Sequence, residues 1–173
     1  MFTANILRGP LVAAALALPG LSGAAISPAL SETVRQLAQA QSQNLEAIFQ
    51  QVHANPELAF QLDETAALVA KKLKKMGYKV HTGIAQTGLA AVLKNGEGPV
   101  IMFRSDMDAL PVKEDSGLPY ASKKQVTLDD GSSQYVSHAC GHDAHTAWLL
   151  GIAKVMMETL SLIHISEPTR HRR

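Results

Sequence analysis

The chain has 173 residues, 46% of them hydrophobic, and a formal net charge of +1. That is enough apolar material for one domain with a sizeable core. Near-neutral charge argues against a nucleic-acid partner, which a strong basic field would favour. A single cysteine excludes an internal disulfide.

The first residues read as a leader. "MFTANILRG" carries one charge, Arg8, "PLVAAALAL" is apolar, Pro19-Gly20 breaks the run, and Ser22 to Ala25 are small. This is the order of a secretory signal peptide, too short to span a membrane. We therefore expect 1–25 to be a signal peptide, a periplasmic or secreted location, and no membrane attachment after cleavage.

Ser31 to about Val52 lacks Gly and Pro, and Val34, Leu37, Ala38, Leu45, Ile48, Phe49 and Val52 recur at helical spacing. One helix is expected, closed by Asn55-Pro56. A second helix is expected over Glu64–Met76, with Asp63 as its cap, Ala66, Val69, Leu73 and Met76 facing inward, and Gly77 as its stop. The lysines at 71, 72, 74 and 75 read as its solvated face. "YKVHT" and "GLAAVLK" read as strands. "PVIMF", Pro99 to Phe103, reads as a strand buried on both faces. A last helix is expected from Ala144 to about Thr159, with an apolar stripe of Trp148, Ile152, Val155 and Met156. The order of elements fits an α/β layered domain.

Two clusters could carry chemistry. "RSDMDALP", Arg104 to Pro111, follows the expected buried strand, beyond whose carboxyl end ligands bind in open α/β sheets. In an extended chain Asp106 and Asp108 would share one side. The bland alternative is a polar turn. The second cluster, "HACGHDAHT", places His138, Cys140 and His142 at alternating positions, on one side if extended, with Gly141 allowing a close turn. A thiolate and an imidazole at this spacing suit zinc or a related divalent ion. Two alternatives stay open here. Cys140 could be a buried small hydrophobe, or a thiol nucleophile paired with His53 or His81.

Together, "RSDMDALPVKE" and "HACGHDAHT" resemble the amidohydrolase branch of the aminoacylase and carboxypeptidase-like metallopeptidases, the hippurate hydrolase and indole-acetyl-amino-acid hydrolase type. "HANPELAF", "ETAALVAKKLKKMGY" and "TGLAAVL" extend the resemblance over roughly 44–159. It implies a three-layer α/β/α catalytic domain, here the N-terminal part over 26–160, with the lid and dimerisation domain absent from this chain. It implies hydrolysis of N-acyl-amino acid amides, small-molecule substrates, and a homodimeric parent. Two divalent ions, manganese or zinc, would serve the reaction. By the same resemblance Cys140 and His142 are metal ligands and Asp108 steadies the ligand shell. Asp106 is a possible further ligand, where relatives outside this branch carry a metal-binding histidine. His53 is structural. His138, Asp143 and His145 belong to the motif without an assigned role. The family's other ligands and its general-base glutamate come from later sequence. After Thr159 "SLIHISEPTRHRR" does not continue the family pattern and reads as a non-native tail over 161–173. His164, Glu167 and His171 in it are ligands by type but not by spacing. The expectation for the chain as it stands is an inactive portion of an amidohydrolase, or a non-catalytic metal-binding fragment. The half-domain should also leave Trp148, Ile152 and Met156 without a covering partner.

Overall fold

The structure is a computed structural model that describes residues 26–128 and 130–163. The expected leader at 1–25 and His164, Glu167 and His171 of the tail lie outside them.

The expected first helix is two. Helix α1 spans Pro28–Ala40 and α2 spans Ser42–Ala54. The break has a local cause. The Gln41 N–H turns to the Ala38 carbonyl, 3.3 Å away, while its side-chain amide donates to the Leu37 carbonyl at 3.1 Å, the acceptor a regular helix would give to the backbone. The helix resumes at once, because Leu45 N–H donates to the Gln41 carbonyl. Only the α2 half of the expected stripe reaches the core. Ile48 and Val52 are buried, whereas α1 buries nothing and Val34 is exposed. Asn55 closes α2 as expected.

Helix α3 covers Asp63–Lys75 and buries Thr65, Ala66, Val69, Ala70 and Leu73. Met76 is half-buried at its end, and Gly77 takes a φ of 89°, which ends the helix. The cap is not Asp63. Glu57, buried in the loop after α2, accepts the N–H groups of Glu64 and Thr65 at 3.1 and 2.7 Å. Asp63 is exposed in the first turn. The two expected strands form an antiparallel hairpin, β1 Lys79–Ile84 with β2 Gly88–Val92. A second small hairpin pairs β3 Gln125–Thr127 with β4 Ser133–Tyr135. Helix α4 runs His142–Ile163.

The core lies between α2, α3 and α4, where Ile48, Val52, Val69, Leu73, Ala147, Leu150 and Ala153 pack together and β1 and β2 lay Val80, Leu89 and Ala91 against them. Tyr78 ties the start of the hairpin to α4 by donating to the Ala153 carbonyl at 2.9 Å.

The buried strand expected at Pro99–Phe103 is not formed. Val100, Ile101, Met102 and Phe103 are irregular and exposed, Val100 at 96%. A central strand is buried by strands on both sides and helices on both faces, and no described strand pairs with this run. On α4 the core face is Thr146, Ala147, Leu150 and Ala153, while Trp148 and Ile152 point to solvent and Met156 is half-buried. Among the described residues no helix is long and apolar enough to cross a membrane.

Candidate metal and ligand-shell site

The site is assembled by segment 104–124, which has no regular structure but is stitched on both sides. Ala109 N–H donates to the Glu57 carbonyl at 2.7 Å. Leu110 and Ser137 exchange two backbone hydrogen bonds of 3.0 Å. The Ser137 hydroxyl donates to the Val112 carbonyl at 2.9 Å, and that of Ser122 to the Val136 carbonyl at 2.7 Å. The segment is thus fixed between the loop after α2 and the approach to α4.

That approach is not extended. Chain 138–142 turns at Ala139–Cys140, with Gly141 at a φ of 79°, and enters α4 at His142. The turn sends His138 inward and leaves Cys140 exposed, so the alternating residues do not share a side. Cys140 is therefore not a buried hydrophobe. Asp106 and Asp108 also part company. Asp106 pairs with Arg104. Asp108 meets His142, whose Nδ1 lies 2.9 Å from the Asp108 carbonyl oxygen and 3.1 Å from its Oδ1.

A carbonyl oxygen accepts, so His142 Nδ1 carries the proton and donates. In the neutral ring Nε2 holds the lone pair, and no described residue hydrogen-bonds to it. A carboxylate or carbonyl behind one ring nitrogen, leaving the other to an ion, is the arrangement that orients a metal-binding histidine. The His142 ring also stacks on His145, centroids 5.5 Å apart, and His145 lies 5.8 Å from Trp148.

Beside this pair stands an ionic group that sequence reasoning did not assemble. His53, at the end of α2, sits between two carboxylates. Its Nδ1 is 2.6 Å from Asp143 Oδ2 and its Nε2 is 2.9 Å from Glu114 Oε1. Ionised carboxylates accept, so both ring nitrogens donate and the ring is an imidazolium. Burial opposes that charge, but the hydrogen bonds and charges of Glu114 and Asp143 outweigh it and hold the His53 pKa above its ordinary 6.5. Burial likewise works against the Glu114 charge, and hydrogen bonds from Ser116, His53 and the Ser122 N–H lower its pKa all the same. Phe49 and Tyr120 flank the His53 ring. Glu114 closes the quoted "RSDMDALPVKE" string, which was the available signal for it. His138 lies within the field of Asp143, His53, His142 and Asp108; burial pushes its pKa down, and neither ring nitrogen has a hydrogen-bond partner among the described residues.

The donor types, an exposed thiol and a correctly tautomerised imidazole, fit a borderline divalent ion. Their number does not close a site. Among the described residues no group of three or more His, Cys, Asp or Glu is arranged to hold an ion. A thiol nucleophile finds less support. Among the described residues no hydrogen bond reaches Cys140, both nitrogens of His53 are engaged, and His81 is exposed on β1.

Known proteins resemble this chain over part of its length. Residues 102–165 match the sequence model of Peptidase family M20/M25/M40. The matched stretch resembles M20-family sequence. The chain is 49% identical to a hippurate hydrolase from Campylobacter jejuni over 112 residues, which is 64% of this chain and 27% of that protein. It is 43% identical to an N-acetyl-L-cysteine deacetylase from Bacillus subtilis, over 62% of this chain and 24% of that protein. A solved dinuclear metal binding peptidase of the M20 family from Bacillus subtilis superposes with a TM-score of 0.61 at 33% identity, over 71% of this chain and 33% of that one. The chain thus spans about a quarter of the length of these curated relatives. The described region is part of an α/β catalytic domain, and its His142–Asp108 pair lies inside the residues that the family model matches.

Proposed function

We propose that this chain is the N-terminal part of a metal-dependent amidohydrolase that cleaves N-acyl-amino acid amides. The observation that carries the reading is the His142 ring. Asp108 holds its Nδ1 from behind, and its Nε2 is left for an ion. The solved relative named as dinuclear supports a divalent metal, and the hydrolase relatives support a small acylated amino acid as substrate.

In this reading Cys140 and His142 hold the ion, with zinc or manganese as the expected metals, and Asp108 orients His142. Asp106, engaged by Arg104, is not needed as a ligand. A divalent ion bound there would polarise the amide carbonyl and activate water. The remaining ligands and a general base are expected from sequence like that which the relatives carry beyond the matched region. Two matched donors favour the second reading for the 173-residue chain by itself, which is that it binds a metal without turning substrate over. The proposal includes export after cleavage near Ala24 or Ala25, which intact-mass analysis of secreted protein would check, a dimeric full-length enzyme, and a non-native tail over 161–173.

The test is an assay of hippurate and several N-acetyl-amino acids with added manganese or zinc. The 173-residue chain is compared with a version extended past Thr159 by native sequence. Chelator-sensitive turnover by the extended version alone is expected. Chelator-resistant turnover that iodoacetamide abolishes would replace the metal reading with a thiol one.

A further inference from the structure

Three segments far apart in sequence meet at one partly buried ring. His53 ends α2, Glu114 lies in the segment that also carries Asp108, and Asp143 follows His142 in the first turn of α4. The side chains of His53, Glu114 and Asp143 are 12%, 9% and 3% exposed. Two carboxylates this close would repel each other without a cation between them, and the repulsion would work against the hydrogen bonds that hold segment 104–124 to the approach to α4. The cation is suited to its place. His53 lies in the last turn of α2, where the helix dipole favours positive charge, and Asp143 lies in the first turn of α4, where it favours negative charge.

Each carboxylate is also tied to its own segment. Glu114 accepts from the Ser122 N–H and from the Ser116 hydroxyl, and Asp143 Oδ1 faces the Ala144 N–H at 2.8 Å. The ring therefore does not link two loose side chains. It links two locally braced stretches of backbone. The bond from His142 Nδ1 to Asp108 spans the same two stretches, six positions from Glu114 on one side and one from Asp143 on the other.

We propose that His53 is a positioning residue, whose doubly bonded imidazolium clamps the first turn of α4 to segment 104–124 and so fixes His142 in the Nδ1–H tautomer that turns Nε2 outward. The consequence for metal binding rests on the proposed function above; the clamp itself does not. Free histidine has no such constraint, so the tautomer is the readout.

The experiment is nitrogen-15 NMR of the imidazoles in the metal-free 173-residue chain. In the wild type, both His53 nitrogens should carry protons at a pH where a free imidazole is neutral, and His142 should show the Nδ1–H tautomer. In His53→Gln the His142 signals should shift toward a tautomer mixture, while the β1–β2 hairpin amides keep their positions as the fold control. His53→Gln combined with Glu114→Gln restores the charge balance and should recover part of the His142 tautomer. A wild-type His53 with one unprotonated nitrogen would overturn the proposal without any variant. So would an unchanged His142 tautomer in folded His53→Gln. A zinc titration of the same samples separates the two ideas. Zinc that leaves His142 Nε2 and Cys140 unmoved would remove the metal reading, while the metal-free spectra decide the clamp on their own.

Discussion

Glu57 offers the sharpest test of how this chain starts its third helix. The residue is 7% exposed, and its carboxylate accepts two of the N–H groups that the first turn of α3 leaves without helical partners. A side-chain cap is worth about 0.5–2 kcal/mol. A negative charge at a partly buried helix start adds up to ~2 kcal/mol. The two overlap, so Glu57→Ala should cost about 2–3 kcal/mol. Glu57→Gln keeps one acceptor oxygen and loses the charge, and should cost about 1 kcal/mol. Asp63, the cap expected from sequence, makes no cap bond and is exposed. Asp63→Asn should therefore cost about 0.5 kcal/mol or less. Urea unfolding followed by far-ultraviolet circular dichroism gives all three values. Equal losses for Glu57→Ala and Asp63→Asn, or a larger loss for Asp63→Asn, would refute the assignment.

Leu150 is fully buried between α2 and α3, so Leu150→Ala should cost about 2–5 kcal/mol in the same assay. The His53 clamp should give a pH window. His53 has a raised pKa, so its contribution is complete below 6.5 and fades as pH rises through the folded value above it. Glu114 has a lowered pKa, so its contribution is complete above 4.5 and fades as pH falls through the folded value beneath it. The stability difference between wild type and His53→Gln should be greatest between pH 4.5 and 6.5 and shrink on both sides. In the extended enzyme, Asp108→Ala should weaken metal affinity by ~10–100-fold, measured by chelator competition, and Cys140→Ala should weaken it more.

Local signals were legible in the sequence and non-local ones were not. Asn55-Pro56 and Gly77 ended their helices because backbone restriction at these residues acts whatever surrounds them. The two strands of the β1–β2 hairpin were likewise visible from their runs, while their pairing was not. The run Val100–Phe103 misled because burial on both faces is a property of neighbours, and none of the described elements supplies them. The break at Gln41 turned on one side-chain amide choosing the Leu37 carbonyl, which no periodicity reveals. At the site, the motifs named Asp108, Cys140 and His142. Spacing alone put His138, Cys140 and His142 on one side, and the turn at Ala139–Cys140 undid that. The bond between Asp108 and His142, and the His53 group, needed residues from distant segments to be brought together.

The proposed metal site requires that Cys140 and His142 receive the same ion. A Co²⁺ titration of the reduced 173-residue chain tests this directly, because a thiolate bound to Co²⁺ gives a charge-transfer absorption that a nitrogen or oxygen donor does not. The expected result is a saturable band that disappears in Cys140→Ala and weakens sharply in His142→Ala, with His145→Ala unchanged. No band in the wild type, or a band indifferent to His142→Ala, would contradict it.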